Sequence, residues 1–83
     1  MATNKRDRDG KVLRSLLRDL RLAAGLRQID LAERLGVKQS FISKYESGER
    51  RLDALELRRV CHSLNTTLAA FAAKLESLLG GAK

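Results

Sequence analysis

Residues 28–47 read QIDLAERLGVKQSFISKYES, and the placing of small and apolar side chains in this stretch decides how the chain folds. Ile29, Leu31, Ala32 and Leu35 recur at the spacing of one helical face, and Ile42 and Tyr45 do so again beyond Gly36. Gly36 stands where the turn between them needs a positive φ, a conformation that a β-carbon makes costly. Ala32 must be small because the two helices cross closely there. Leu31 and Leu35 are expected to tie the first helix to the core, with Val37 and Ile42 filling the wedge between the helices. The outer face of the second helix is left to Gln39, Ser40, Ser43 and Lys44.

Two short helices joined by a tight turn containing glycine make a helix-turn-helix pattern, here Gln28–Leu35 and about Gln39–Ser47. Upstream, Val12, Leu13, Leu16, Leu17, Leu20 and Ala24 mark one face of a first helix that Gly25 ends. Residues 1–10 are charged and aperiodic, so a flexible arm is expected there. Downstream, Gly48 stops the second helix of the pair, and Glu49, Arg50 and Arg51 form a charged loop. Asp53 with Glu56 reads as a capping box opening a fourth helix, whose apolar face is Leu55, Leu57, Val60, Cys61 and Leu64. Asn65 is the expected left-handed stop and Thr67 the cap of a fifth helix bearing Leu68, Phe71, Ala72, Leu75, Leu78 and Leu79. The reading is an all-α, five-helix domain over residues 11–79, with an arm at 1–10 and a disordered tail at 80–83.

Eighty-three residues suit one compact domain. Hydrophobic residues make up 43% and charged ones 33%, a globular rather than a disordered balance, and aromatics at 4% leave the core to Leu, Ile, Val and Ala. Seventeen basic residues against ten acidic ones give +7, which suits a polyanionic partner or an anionic membrane surface. No apolar run approaches the ~20 residues of a bilayer span, and MATNKRDRDG holds no apolar signal region. The expected location is therefore cytoplasmic, in a bacterium or from a phage, and close to the nucleoid. A single Cys61 excludes an internal disulfide, and with the lone His62 it makes no metal cluster. Lacking a paired-carboxylate site, a nucleophile with its base or a phosphate-cradling loop, the chain is expected to be no enzyme and to need no cofactor. A single domain is expected, with no second domain to sense a small molecule.

Gln28, Leu31-Ala32, Gly36-Val37, Gln39, Ile42-Ser43 and Glu46, followed by Gly48-Glu49-Arg50-Arg51, resemble the xenobiotic-response-element (XRE) family of helix-turn-helix regulators, to which the lambdoid phage repressors and Cro proteins belong. The resemblance runs from about Leu17 to Phe71. It implies a lambda-repressor-like fold and a regulator of transcription, a repressor, that sets its third helix in the major groove of double-stranded DNA. Position by position, it implies base reading by Gln39, Ser40, Ser43 and Lys44. Gln39 has the bidentate amide that suits adenine. Phosphate contacts would come from Gln28, Arg50 and Arg51, and a structural ion pair from Arg21 and Glu46. Where the family commonly places Ser or Thr before each helix of the pair, this chain has Arg27 and Lys38. Each forgoes a side-chain cap worth ~1 kcal/mol, and both are expected to bind phosphate instead. Ala72, Leu78 and Leu79 of the fifth helix form a candidate homodimer patch. A second reading, an antitoxin that also binds a toxin protein, stays open.

Overall fold

A computed structural model describes residues 5–80. It contains α1 (Lys5–Ala23), α2 (Gln28–Leu35), α3 (Gln39–Ser47), α4 (Ala54–Ser63) and α5 (Leu68–Leu78), and no strand among the described residues. Helix α3 lies between α1 and α2; α2 also packs on α4, and α5 closes the bundle against α1 and α4. Leu16, Leu17, Leu31, Ala32, Ile42, Tyr45, Val60, Cys61, Leu64 and Phe71 form one buried core, with Leu13, Leu20, Leu35, Leu57 and Leu75 packed around it. Ala32 is fully buried at the α2–α3 crossing, as its size allows.

The turns follow from local chemistry. Gly36 has φ 70° and ψ 34°, and its N–H bonds back to the end of α2, so the chain reverses into α3 within three residues. At α4 the Asp53 carboxylate accepts from the Glu56 N–H at 2.7 Å, while the Glu56 carboxylate accepts from the Asp53 N–H at 3.0 Å. Asn65 stands at φ 63° after α4, and the Thr67 hydroxyl accepts from the Ala70 N–H at 3.0 Å to open α5.

Three expectations need correction. Helix α1 begins at Lys5, not near Val12, so residues 5–10 belong to a helix rather than to an arm. Without apolar residues that stretch carries no periodic signal, yet charged residues such as the exposed Arg8 and Asp9 are compatible with a helix that the rest of α1 has already nucleated. Residues 1–4 of the expected arm and 81–83 of the expected tail lie outside the described residues. Leu55 is 66% exposed. It precedes Leu57 by two positions, about 160° around the helix from the face that Leu57, Val60, Cys61 and Leu64 share. Val37 is exposed as well and does not fill the wedge; its N–H, bonded to the Ala32 carbonyl at 3.0 Å, is what holds the turn.

Candidate nucleic-acid interface

The outer face of α3 is set by the burial of its inner one. Ile42 and Tyr45 are 0% and 1% exposed, which turns Gln39, Ser40, Ser43 and Lys44 to solvent. Lys38 precedes them in an extended conformation (φ −76°, ψ 152°) and supplies no side-chain cap. The α3 N-terminus therefore presents uncapped N–H groups and the positive end of the helix dipole beside a lysine. All four exposed side chains can donate hydrogen bonds, and Gln39, Ser40 and Ser43 can also accept them.

Behind this face runs a continuous polar chain. The Arg21 guanidinium of α1 donates from Nε to Glu46 Oε2 at 2.7 Å and from Nη2 to Glu46 Oε1 at 3.0 Å, with both side chains over nine-tenths buried. Arg21 Nη1 also donates to the Leu26 carbonyl at 2.8 Å. These bonds hold the Arg21 pKa above its ordinary value, the Glu46 carboxylate outweighing the effect of burial. Gln28, opening α2, donates from Nε2 to Glu46 Oε1 at 3.0 Å, and its Oε1 accepts from Gln39 Nε2 at a long 3.4 Å. A side chain of the recognition face is thereby linked through Gln28 to the buried pair.

The expected phosphate ligands do not share one environment. Arg27 folds onto Asp30: Nε and Nη2 each donate to its carboxylate at 2.9 Å, and the Arg27 N–H donates to the same group at 2.9 Å. Asp30 thus caps the α2 N-terminus from within, and its carboxyl is held down to about 2 by the guanidinium and that N–H. Arg50 is engaged more fully. It donates to both Glu56 oxygens at 3.0 and 2.7 Å, donates to the Arg51 carbonyl at 3.0 Å, and lies 4.6 Å over the Phe41 ring. Glu56, gripped by Arg50 and by the Asp53 N–H, is held at about 2. Arg50 therefore fastens the loop after α3 to both α3 and α4. Lys38, Lys44 and Arg51 remain exposed, with no ion pair among the described residues.

Arg18 of α1 joins this surface although no sequence motif marks it. It lines a shallow pocket with Gln28, Ser43 and Ser47 beside the recognition face. Its place one turn before Arg21, on the side of α1 that meets α3, was the signal available. Cys61 is a buried free thiol whose pKa burial pushes up, and no cluster of potential metal ligands occurs among the described residues. No described helix is long and apolar enough to cross a membrane.

Comparison with known proteins places this geometry. The Helix-turn-helix family model HTH_3 matches residues 17–71. An XRE-family like protein from Pseudomonas syringae pv. tomato str. DC3000 superposes with a TM-score of 0.83 at 42% identity, over 88% of this chain and 89% of that one. The clp gene regulator ClgR from Corynebacterium glutamicum superposes with a TM-score of 0.75 at 25% identity, over 87% of this chain and 77% of that one. No curated protein sequence matches the chain. With most of its length matched by the family model and by a solved XRE-type structure, the chain belongs to the XRE-type helix-turn-helix family of DNA-binding regulators.

Proposed function

We propose that the chain is a transcriptional repressor that binds a two-fold operator as a homodimer, each copy laying the N-terminal half of α3 in the major groove. The observation that carries this reading is the exposed ridge of Gln39, Ser40, Ser43 and Lys44, set on a helix whose other face is fully buried. A ridge fixed by core packing and by the Gln28–Glu46–Arg21 chain presents donors and acceptors at rigid positions, which direct base readout requires. Exposed Arg18, Lys38, Lys44 and Arg51 flank it and supply the phosphate attraction. Gln28 remains a phosphate ligand in this reading, as do Arg27 and Arg50 if DNA draws them from Asp30 and Glu56.

Dimerisation is assigned to α5. Leu78 is 52% and Leu79 37% exposed, and Ala72 is exposed beside them. Leu78 follows Phe71 by seven residues, so the stripe that buries Phe71 continues past the end of the core with no partner beneath it among the described residues. Selection from random duplexes should enrich a palindrome with half-sites about one helical turn, 34–36 Å, apart. Light scattering should give twice the chain mass, and Leu78→Glu should return it to one. Absence of any enriched site would overturn the repressor reading.

A further inference from the structure

A groove of about 640 Å³ lies between the first half of α1, the loop after α3 and the end of α5, away from Gln39. That volume is within the roughly 300–1,000 Å³ of small-molecule sites. Its walls divide by chemistry: Leu13, Leu75 and Leu79 supply an apolar side, and Lys11, Arg14, Arg50 and Arg51 a cationic one, with Asp9 the only carboxylate among the described residues of the lining.

Two polar groups of this groove lack partners among the described residues. Arg14 is half-buried and makes neither a hydrogen bond nor an ion pair there. Its guanidinium rests in a slot between two glycines. A Cβ at Gly10 would come within 3.1 Å of Nη1, and one at Gly48 within 2.9 Å of Cζ. The Tyr45 hydroxyl is the second: Tyr45 is 1% exposed and its oxygen is buried without a hydrogen-bond partner. A buried hydroxyl left unpaired is costly, and a half-buried guanidinium facing no acceptor invites one. Among the described residues neither group meets an acceptor.

We propose that this groove is an effector site for a small carboxylate with an apolar body, the carboxylate paired with Arg14 and the body laid on Leu75 and Leu79. A planar guanidinium takes a carboxylate through two parallel hydrogen bonds. The apolar wall gives a bare oxyanion no further contact, and Asp9 opposes a dianion. The groove shares Arg51 and Gly48 with the loop after α3 and Leu79 with the α5 patch, so occupancy alters operator binding. That consequence rests on the repressor reading; ligand binding itself does not.

The test is a titration of the full chain with octanoate, phenylpropionate and indoleacetate, followed by amide correlation spectra, with octanol and inorganic phosphate as controls. At least one carboxylate should shift the amides of Gly10, Arg14, Gly48 and Leu75 saturably, and neither control should. Arg14→Gln should weaken that binding at least about tenfold, the loss of a charged hydrogen bond, while its spectrum elsewhere stays that of the folded protein; Arg14→Lys should fall between. Failure of all three carboxylates at millimolar concentration overturns the site, as does equal binding by Arg14→Gln. Ligand binding that leaves operator affinity unchanged overturns the effector role. Should duplex DNA displace the ligand only because Arg14 holds a phosphate, Arg14→Gln would lower the salt dependence of DNA binding without ligand, and the site would be a DNA contact instead. Saturable shifts with no selected operator would sink the repressor reading alone.

Discussion

Arg21 and Glu46, 25 positions apart, form a two-pronged ion pair whose side chains are 7% and 6% exposed. The pair pins the recognition helix to α1, and it removes a negative charge that would otherwise stand behind a phosphate-facing surface. Each nitrogen of the guanidinium head makes a hydrogen bond, Nη1 holding the Leu26 carbonyl at 2.8 Å. Arg21→Ala leaves the Glu46 carboxylate buried with only Gln28 as donor. The expected cost is about 3–5 kcal/mol, the usual result of breaking a buried pair from one side. Denaturant unfolding measures it. Loss of DNA affinity should follow the unfolded fraction; an unchanged unfolding midpoint with abolished binding would instead make Arg21 a DNA contact.

Acid should weaken the fold through two other carboxylates. Asp30 and Glu56 are each held at about 2 by Arg27 and Arg50, below ordinary values of 3.8 and 4.5. A carboxyl whose folded pKa lies below its unfolded one binds fewer protons when folded, so it stabilises the protein above the unfolded value. That stabilisation is lost as pH falls from about 4.5 towards 2, and nothing of it changes between pH 6 and 8. Glu56→Gln should lower the melting temperature near neutrality and flatten its decline below pH 4.5. A decline as steep as in the unaltered chain would assign the acid sensitivity elsewhere.

The features legible in the sequence are those decided within a few residues. Gly36, the Asp53–Glu56 capping box, left-handed Asn65 and the Thr67 cap each depend on neighbours at most four positions away. The exposed side chains of α3 were legible too, because burying Ile42 and Tyr45 leaves the others no choice of face. What could not be read was competition for one group. Arg50 looked like a free loop cation, yet the turn into α4 brings it onto Glu56 and over Phe41. Arg27 looked like a missing cap, yet Asp30 three residues on takes both its charge and its N–H. From the sequence Gln28 resembles a phosphate ligand, while its bond to Glu46 depends on a residue 18 positions away.

Lys38 separates stability from DNA attraction. It occupies the N-cap of α3 with extended backbone but no capping side chain, and a cation there opposes the helix dipole. Lys38→Ser should therefore stabilise the fold by about 1 kcal/mol. If Lys38 neutralises a phosphate, the same change should reduce the slope of log affinity against log salt by about one. Calorimetry and binding isotherms at several salt concentrations give both numbers. A stabilised protein with an unaltered slope would confine Lys38 to a structural position.

Gln39 carries the sharpest statement about specificity. Its amide is exposed, stands first in α3, and among the described residues is tied to the protein only by the 3.4 Å bond to Gln28 Oε1. So weak a tether orients the side chain without consuming it, leaving the amide oxygen free to accept while Nε2 can turn to a base. Bidentate readout of adenine is the pairing such an amide makes, and its loss costs about 1–3 kcal/mol of discrimination at one base pair. Gln39→Ala should therefore relax preference at a single position of the selected operator and leave the remaining positions and the melting temperature as they were. Lys44→Ala should behave differently if its ammonium meets phosphate, weakening all sequences alike and lowering the salt slope. Gln28→Ala distinguishes the tether from the reader: it removes a donor from Glu46, so it should destabilise the fold and loosen Gln39 together. A Gln39→Ala protein that selects the same operator with the same stringency would move base reading off the start of α3.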